Sequence, residues 1–208
     1  MPRKIESLFL AGPAGRLEAL LEEPDQAASG IALVCHPHPQ HGGTMHNKVV
    51  FRMAKGLRRS GHVVMRFNYR GVNLSEGAYA HGEGELDDAR VALDVLLSRY
   101  PALPLTLAGF SFGSRIALRM GCAPGGLAPR RVIAVGFPTV YKDRAFLDNC
   151  GVPRVFIQST RDQYGPVHEL RPLVEGLPEP KQLIWIDADD HFFAGALEQL
   201  EESVIQLG

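Results

Sequence analysis

Along the chain, short apolar runs alternate with longer stretches in which apolar side chains recur every three or four positions. The runs Gly30–Cys35, His62–Phe67, 105–108, Arg131–Val135, 154–158 and 182–186 are rich in Val, Ile, Leu and Phe and show little polar alternation. That pattern predicts strands buried on both faces. Between and after them, the 3.6-residue period predicts helices over 47–60, 85–100, 111–120, 167–177 and about 193–206. Asn47 is a candidate N-cap with Gly61 just past the end of its helix, and Pro101 stops the helix that presents Leu86, Ala89, Leu93, Leu96 and Leu97 on one face. Strand–helix alternation of this kind predicts an α/β architecture, a mostly parallel sheet with helices on both faces. Ahead of it, 7–10 and 16–20 flank Pro13-Ala14-Gly15 and read as an antiparallel hairpin at one sheet edge.

Composition narrows the picture without redirecting it. A length of 208 residues suits one domain, residues 1–208, and 45% hydrophobic with 22% charged residues is ordinary for a globular chain. The formal net charge of -1 offers no field to gather nucleic acid or an anionic membrane, and the basic pairs 58–59 and 130–131 read as solvated faces. The apolar stretch at 8–11 is too short for a secretory core, and no run approaches the ~18 residues of a membrane span, so a cytoplasmic location is the default expectation. Cys35, Cys122 and Cys150 are odd in number with no close pair, which predicts buried reduced thiols.

The candidate chemistry sits at strand ends. Gly109-Phe-Ser111-Phe-Gly113 is a G-x-S-x-G pattern between a predicted strand and a predicted helix, the context of a nucleophile elbow. The competing reading, a phosphate-binding turn, lacks the accompanying Lys or G-x-G spacing. A serine hydroxyl needs a base, and His191 lies just after the last strand, where the helices hand the chain back to the same sheet edge. The imidazole in turn needs a carboxylate, and Asp162 follows the strand 154–158. Asp187, Asp189 and Asp190 compete by proximity but lie too close in sequence to face the ring easily. The order Ser111, Asp162, His191 matches that of elbow hydrolases. Two amides should hold an oxyanion: Phe112, next to the nucleophile, and His38, whose N–H lies between Pro37 and Pro39. His36, His38, His41 and His46 could suggest a metal, but they lack helical H-E-x-x-H spacing, so no metal site is expected.

Together with His36-Pro-His-Pro39, Gly42-Gly-Thr-Met45, Asn47-Lys-Val-Val50 and Phe67-Asn-Tyr-Arg-Gly71-Val, these marks resemble a bacterial group of α/β-superfamily hydrolases related to the dienelactone-hydrolase-like proteins. The resemblance runs over nearly the whole chain and implies the α/β-hydrolase fold and the Ser-Asp-His roles. One departure is Asn73, where the pattern has glycine; asparagine tolerates positive φ. The expected activity is cleavage of a small-molecule ester, less readily a thioester or amide, by a serine hydrolase that needs no cofactor. The rivals are an acyltransferase on the same scaffold and a binding protein that keeps only the fold. Only 137–153 separates two strands where related folds insert a cap, room for one short helix around 143–149. An open cleft walled by Phe110, Phe112, Tyr141, Tyr164, Phe192 and Phe193 is therefore expected.

Overall fold

The computed structural model describes residues 4–207. Each apolar run becomes a strand. In chain order the elements are β1 (Ile5–Gly12), β2 (Gly15–Glu22), β3 (Gly30–Cys35), α1 (Lys48–Arg59), β4 (His62–Phe67), α2 (Glu83–Arg99), β5 (Leu105–Phe110) and α3 (Phe112–Gly121). They continue with β6 (Arg131–Val135), β7 (Arg154–Ser159), α4 (Val167–Gly176), β8 (Lys181–Ile186) and α5 (Leu197–Gln206). The strands form one sheet in the order β1-β2-β4-β3-β5-β6-β7-β8. β2 pairs antiparallel with β1 and β4, and every other pairing is parallel. This is the α/β-hydrolase fold.

Strand alternation divides the core into two layers. Ile31, Leu33, Cys35, Phe67 and Leu107 face α2 and α3, where they meet Leu86, Leu93 and Ile116. Ala32, Val34, Ala108, Ile133 and Ile157 face the opposite way, toward Val50 and Met53 of α1 and Leu200 and Val204 of α5. Fully burying each such aliphatic side chain contributes about 1.5–3 kcal/mol, so the two layers dominate the stability of the sheet. Asn47 Oδ1 accepts the Val49 N–H at 2.9 Å and caps α1, and Gly61, at φ +94°, turns the chain into β4.

α1 and α5 approach closely at Gly56, where a Cβ would come within 2.9 Å of the Glu201 carbonyl oxygen. Beside this contact the Glu201 carboxylate, only 3% exposed, accepts hydrogen bonds from Arg52, Lys55 and Arg59 at 2.8, 3.1 and 2.9 Å. Burial pushes its carboxyl upward, but the three cations outweigh burial and hold it at about 2. A carboxyl depressed in the folded state stabilises fully above its unfolded value of about 4.3 and loses that contribution as pH falls toward its folded value. Glu201→Gln should therefore lower stability near neutrality by on the order of 3 kcal/mol. In thermal unfolding, the gap to the parent should narrow between pH 4.5 and pH 2. A gap that is the same at both ends would contradict the assignment.

Three sequence expectations need correction here. α2 starts earlier than residue 85 because the Glu85 carboxylate accepts the Ala80 and Gly82 N–H groups at 2.8 and 2.7 Å and organises the first turn. α5 starts at Leu197 rather than near 193, because Phe193 and Gly195 take φ of +57° and +78° and Asp190 Oδ1 caps a separate turn through the Phe192 and Ala194 amides. The segment 137–153 holds one short helix inside the expected span 143–149, a 3-10 turn at Ala145–Leu147. Finally, Cys122 and Cys150 form a disulfide with Cα atoms 4.9 Å apart. It joins the C-cap of α3 to the 137–153 segment. Cys35 alone is a free thiol, and burial pushes it up to about 12. Asn73 does take positive φ, +49°. No helix among the described residues is long and apolar enough to cross a membrane.

Candidate active site

The loops that leave the C-terminal ends of β3, β5, β6, β7 and β8 carry the candidate residues. At the end of β5, Ser111 sits at φ +56°, ψ -121°, a conformation that costs a non-glycine residue strain and lifts its side chain out of the sheet. Its N–H donates to Val135 O at 2.9 Å and its carbonyl accepts from the Ser114 N–H and Oγ at 2.9 and 2.6 Å, which hold it there. The turn is too tight for side chains on either flank: a Cβ on Gly109 would collide with the Gly113 carbonyl, and one on Gly113 with the Cys35 carbonyl. α3 begins at Phe112, whose N–H is the first free one of the helix and, among the described residues, donates to no protein acceptor.

The loop after β3 is strapped to the exit of β4. His36 is fully buried; its Nδ1 bonds Pro37 O at 2.7 Å and its Nε2 accepts the Tyr69 N–H at 3.1 Å, which fixes the Nδ1–H tautomer. Burial pushes this imidazole down to about 3, so it stays neutral. At the far end of the loop, Met45 donates its N–H to Asn68 Oδ1 at 2.8 Å and accepts Arg66 Nη1 at 2.6 Å. Arg66 is itself held by Glu22, through Nε at 2.8 Å. These bonds explain physically why the His36–Met45 and Phe67–Gly71 motifs occur together. Between the straps, His38 Nδ1 accepts the Gln40 N–H at 3.2 Å and its Nε2 lies 3.2 Å from the Tyr79 hydroxyl. Its ring packs on His41, Tyr79 and Phe112, and burial, then the neighbouring His41, lowers its pKa. The His38 N–H, like that of Phe112, meets no protein acceptor among the described residues.

His191 and Asp162, both 2% exposed, meet at 2.7 Å between Nδ1 and Oδ2. Asp162 Oδ1 accepts the Tyr164 and Gly165 N–H groups at 2.8 and 3.0 Å, and Gln158 Nε2 donates to Oδ2 at 2.8 Å. The competing carboxylates are engaged elsewhere. Asp187 and Asp189 pair with Arg161 at 3.1 and 3.0 Å, and Asp190 caps the turn after it. The His191 ring is packed by Phe110, Tyr164 and Phe192.

Ser111 and His191 open on one cleft of about 290 Å³. Tyr141, Tyr164 and Phe192 line it as expected, with His38. Phe110, Phe112 and Phe193 do not: Phe110 and Phe193 are fully buried in the α1–α5 layer, Phe110 reaching the site only as the backing of the His191 ring, and the Phe112 ring is buried in the opposite layer against Tyr69. Pro138, Val140, His41 and Asn47 were missed by the sequence reading and complete the walls; Val140 is 61% exposed at the mouth. A larger surface groove, about 510 Å³ between Lys142, Arg144 and Glu169, contains none of the candidate residues. Among the described residues no three His, Cys, Asp or Glu side chains converge as metal ligands.

This fold and this cleft define a class, and comparison with known proteins gives it a family. Residues 31–203 match the model of the alpha/beta hydrolase domain, and the chain belongs to that family. It is 34% identical over 204 residues to an uncharacterized protein of Rickettsia prowazekii, covering 95% of this chain and 86% of that one. Among solved structures it is similar to an alpha-beta serine hydrolase homologue from Coxiella burnetii, with 33% identity, a TM-score of 0.91 and coverage of 97% and 96%. It is likewise similar to a serine hydrolase without a lid from Xanthomonas campestris, with 33% identity, a TM-score of 0.89 and coverage of 99% and 94%.

Proposed function

We propose that this chain is a serine esterase that cleaves small esters through an acyl-enzyme, with Ser111 as nucleophile, His191 as base and Asp162 as its orienting acid. One observation carries the reading: a strained elbow serine opens on the same cleft as an imidazole bonded to a buried carboxylate. Asp162 accepts from Nδ1–H, which leaves the Nε2 lone pair of His191 to take the Ser111 proton as Oγ attacks the ester carbonyl. The free amides of Phe112 and His38 receive the oxyanion. The imidazolium then protonates the leaving alkoxide, and water, activated by the same base, releases the acid. No cofactor is needed for any step. The direct test is a fluorophosphonate probe, which should label the protein once, at Ser111; labelling at another residue overturns the assignment.

The cleft also sets the substrate size. Its walls at Tyr141, Tyr164 and Val140 are short loops, and the 137–153 segment forms no cap over them. A further methylene contributes about 0.8 kcal/mol only where a wall meets it. On p-nitrophenyl esters, kcat/KM should peak at short acyl chains and should not jump when substrate passes from solution to emulsion. A preference for long chains, or activation at the interface, would reveal an enclosure that this cleft lacks.

A further inference from the structure

The geometry points to Gln158 as a positioning residue that holds Asp162 in the orientation His191 requires; the inference rests on the proposed Ser111–His191–Asp162 reading. Gln158 is the only glutamine on β7, its side chain is 0% exposed, and it lies on the sheet face of Phe137 and Phe156, where a hydrocarbon side chain would be the ordinary occupant. Burying an amide is costly unless every polar atom is bonded. Here each is. Oε1 accepts the Phe137 N–H at 2.8 Å, and Nε2 donates to Asp162 Oδ2 at 2.8 Å and to Gly165 O at 3.1 Å, with Phe137 O at 3.4 Å. The enclosure is tight: a Cβ on Gly165 would collide with Gln158 Nε2 and with Phe137 O.

Two features give this amide a part in the chemistry beyond packing. First, it donates to the same carboxylate oxygen that His191 Nδ1 bonds, so Oδ2 is pinned between two donors while the Tyr164 and Gly165 amides pin Oδ1. Four donors leave the carboxylate no freedom to rotate away from the ring. Second, the donated proton draws charge from Oδ2 and so moderates its pull on the His191 Nδ1 proton. Gln158 also ties Phe137, the residue before the cleft wall at Pro138, to the acid loop, which sets the wall against the base. The other charged groups of these loops are engaged elsewhere, and the one titratable ring beside His191 meets it edge-on. Arg161 bonds Ala188 O, Asp187 and Asp189; Asp190 holds the Phe192 and Ala194 amides; Tyr164 packs its ring edge-on to His191.

The experiment compares Gln158→Met and Gln158→Glu with the parent protein, using p-nitrophenyl acetate turnover, the rate of fluorophosphonate labelling and the downfield proton resonance of His191 Nδ1. Gln158→Met keeps the side-chain length and removes the donor. It should lower kcat roughly ten- to hundredfold, the range found when groups that orient metal-bound histidines are removed. KM should be little changed, the acid limb of the pH–rate profile should move to higher pH, and the Nδ1 resonance should shift. Gln158→Glu keeps the acceptor for the Phe137 N–H. While protonated it can still donate to Asp162, and once ionised it repels it, so its activity should approach the parent's at low pH and collapse as pH rises, turning a plateau into a bell. This second profile decides the matter if the methionine variant does not fold. Parent-like kcat and an unmoved Nδ1 resonance in a folded Gln158→Met, or a parent-shaped profile in Gln158→Glu, overturn the inference. A parent protein that takes no label at Ser111 overturns the esterase reading instead, so the two failures are distinguishable.

Discussion

Ser111→Ala is expected to lose about six orders of magnitude in kcat, the scale on which removing the nucleophile of a Ser-His-Asp unit acts in a serine protease. The residual rate should come from the cleft and the two free amides alone, on the order of 10³–10⁴ over water. Stability should hold or rise slightly. Ser111 Oγ makes no hydrogen bond to the protein among the described residues, and the bonds that fix the elbow run through its backbone N–H and carbonyl, which alanine retains. The positive φ is as strained for alanine as for serine. Full turnover in a folded Ser111→Ala protein, measured on p-nitrophenyl acetate, would sink the nucleophile assignment.

Asp162→Asn should cost less but still about 10⁴-fold in kcat, by the tautomer argument that holds for the serine proteases. The carboxylate accepts from His191 Nδ1–H and Gln158 Nε2–H on one oxygen and from two backbone amides on the other. It faces donors only, and asparagine must turn an N–H₂ group toward at least one of them. Where that group meets His191, the ring is forced to accept at Nδ1 and to carry its proton on Nε2, where Ser111 needs a lone pair. Asp187→Asn and Asp190→Asn are the controls. Their carboxylates serve Arg161 and the turn at 190–194, so kcat should stay within a few-fold of the parent; the reverse ranking would show that the wrong acid was chosen.

The strands, the mostly parallel character of their sheet and the loops that bear Ser111, Asp162 and His191 were legible in the sequence, because unbroken β-branched runs and a G-x-S-x-G turn each answer to a local physical rule. What escaped it depends on distant contacts. The Cys122–Cys150 bond joins residues 28 apart that come together only once α3 and the 137–153 segment are folded. Phe110 and Phe193 were assigned to the cleft as aromatics next to catalytic candidates. Phe110 shares strand parity with Ala108, which sends its ring into the α1–α5 layer, a constraint readable in principle from alternation. Phe193 is buried by a turn with positive φ that no periodicity announces. Gln158 reads in isolation as a polar interruption of a buried strand, and its meaning is visible only with Phe137, Gly165 and Asp162 around it.

On the proposed mechanism, the uncapped segment between β6 and β7 bears on the fate of the acyl group after it has been taken up. With nothing folded over the mouth beside Val140 and Tyr164, bulk solvent would stand next to the proposed acyl-enzyme throughout its lifetime. A competing alcohol or thiol has no chamber to detain it beside the acyl carbon and must win against water at solvent concentration. On the proposed esterase reading, that openness would tilt the partition of the acyl group away from transfer and toward hydrolysis.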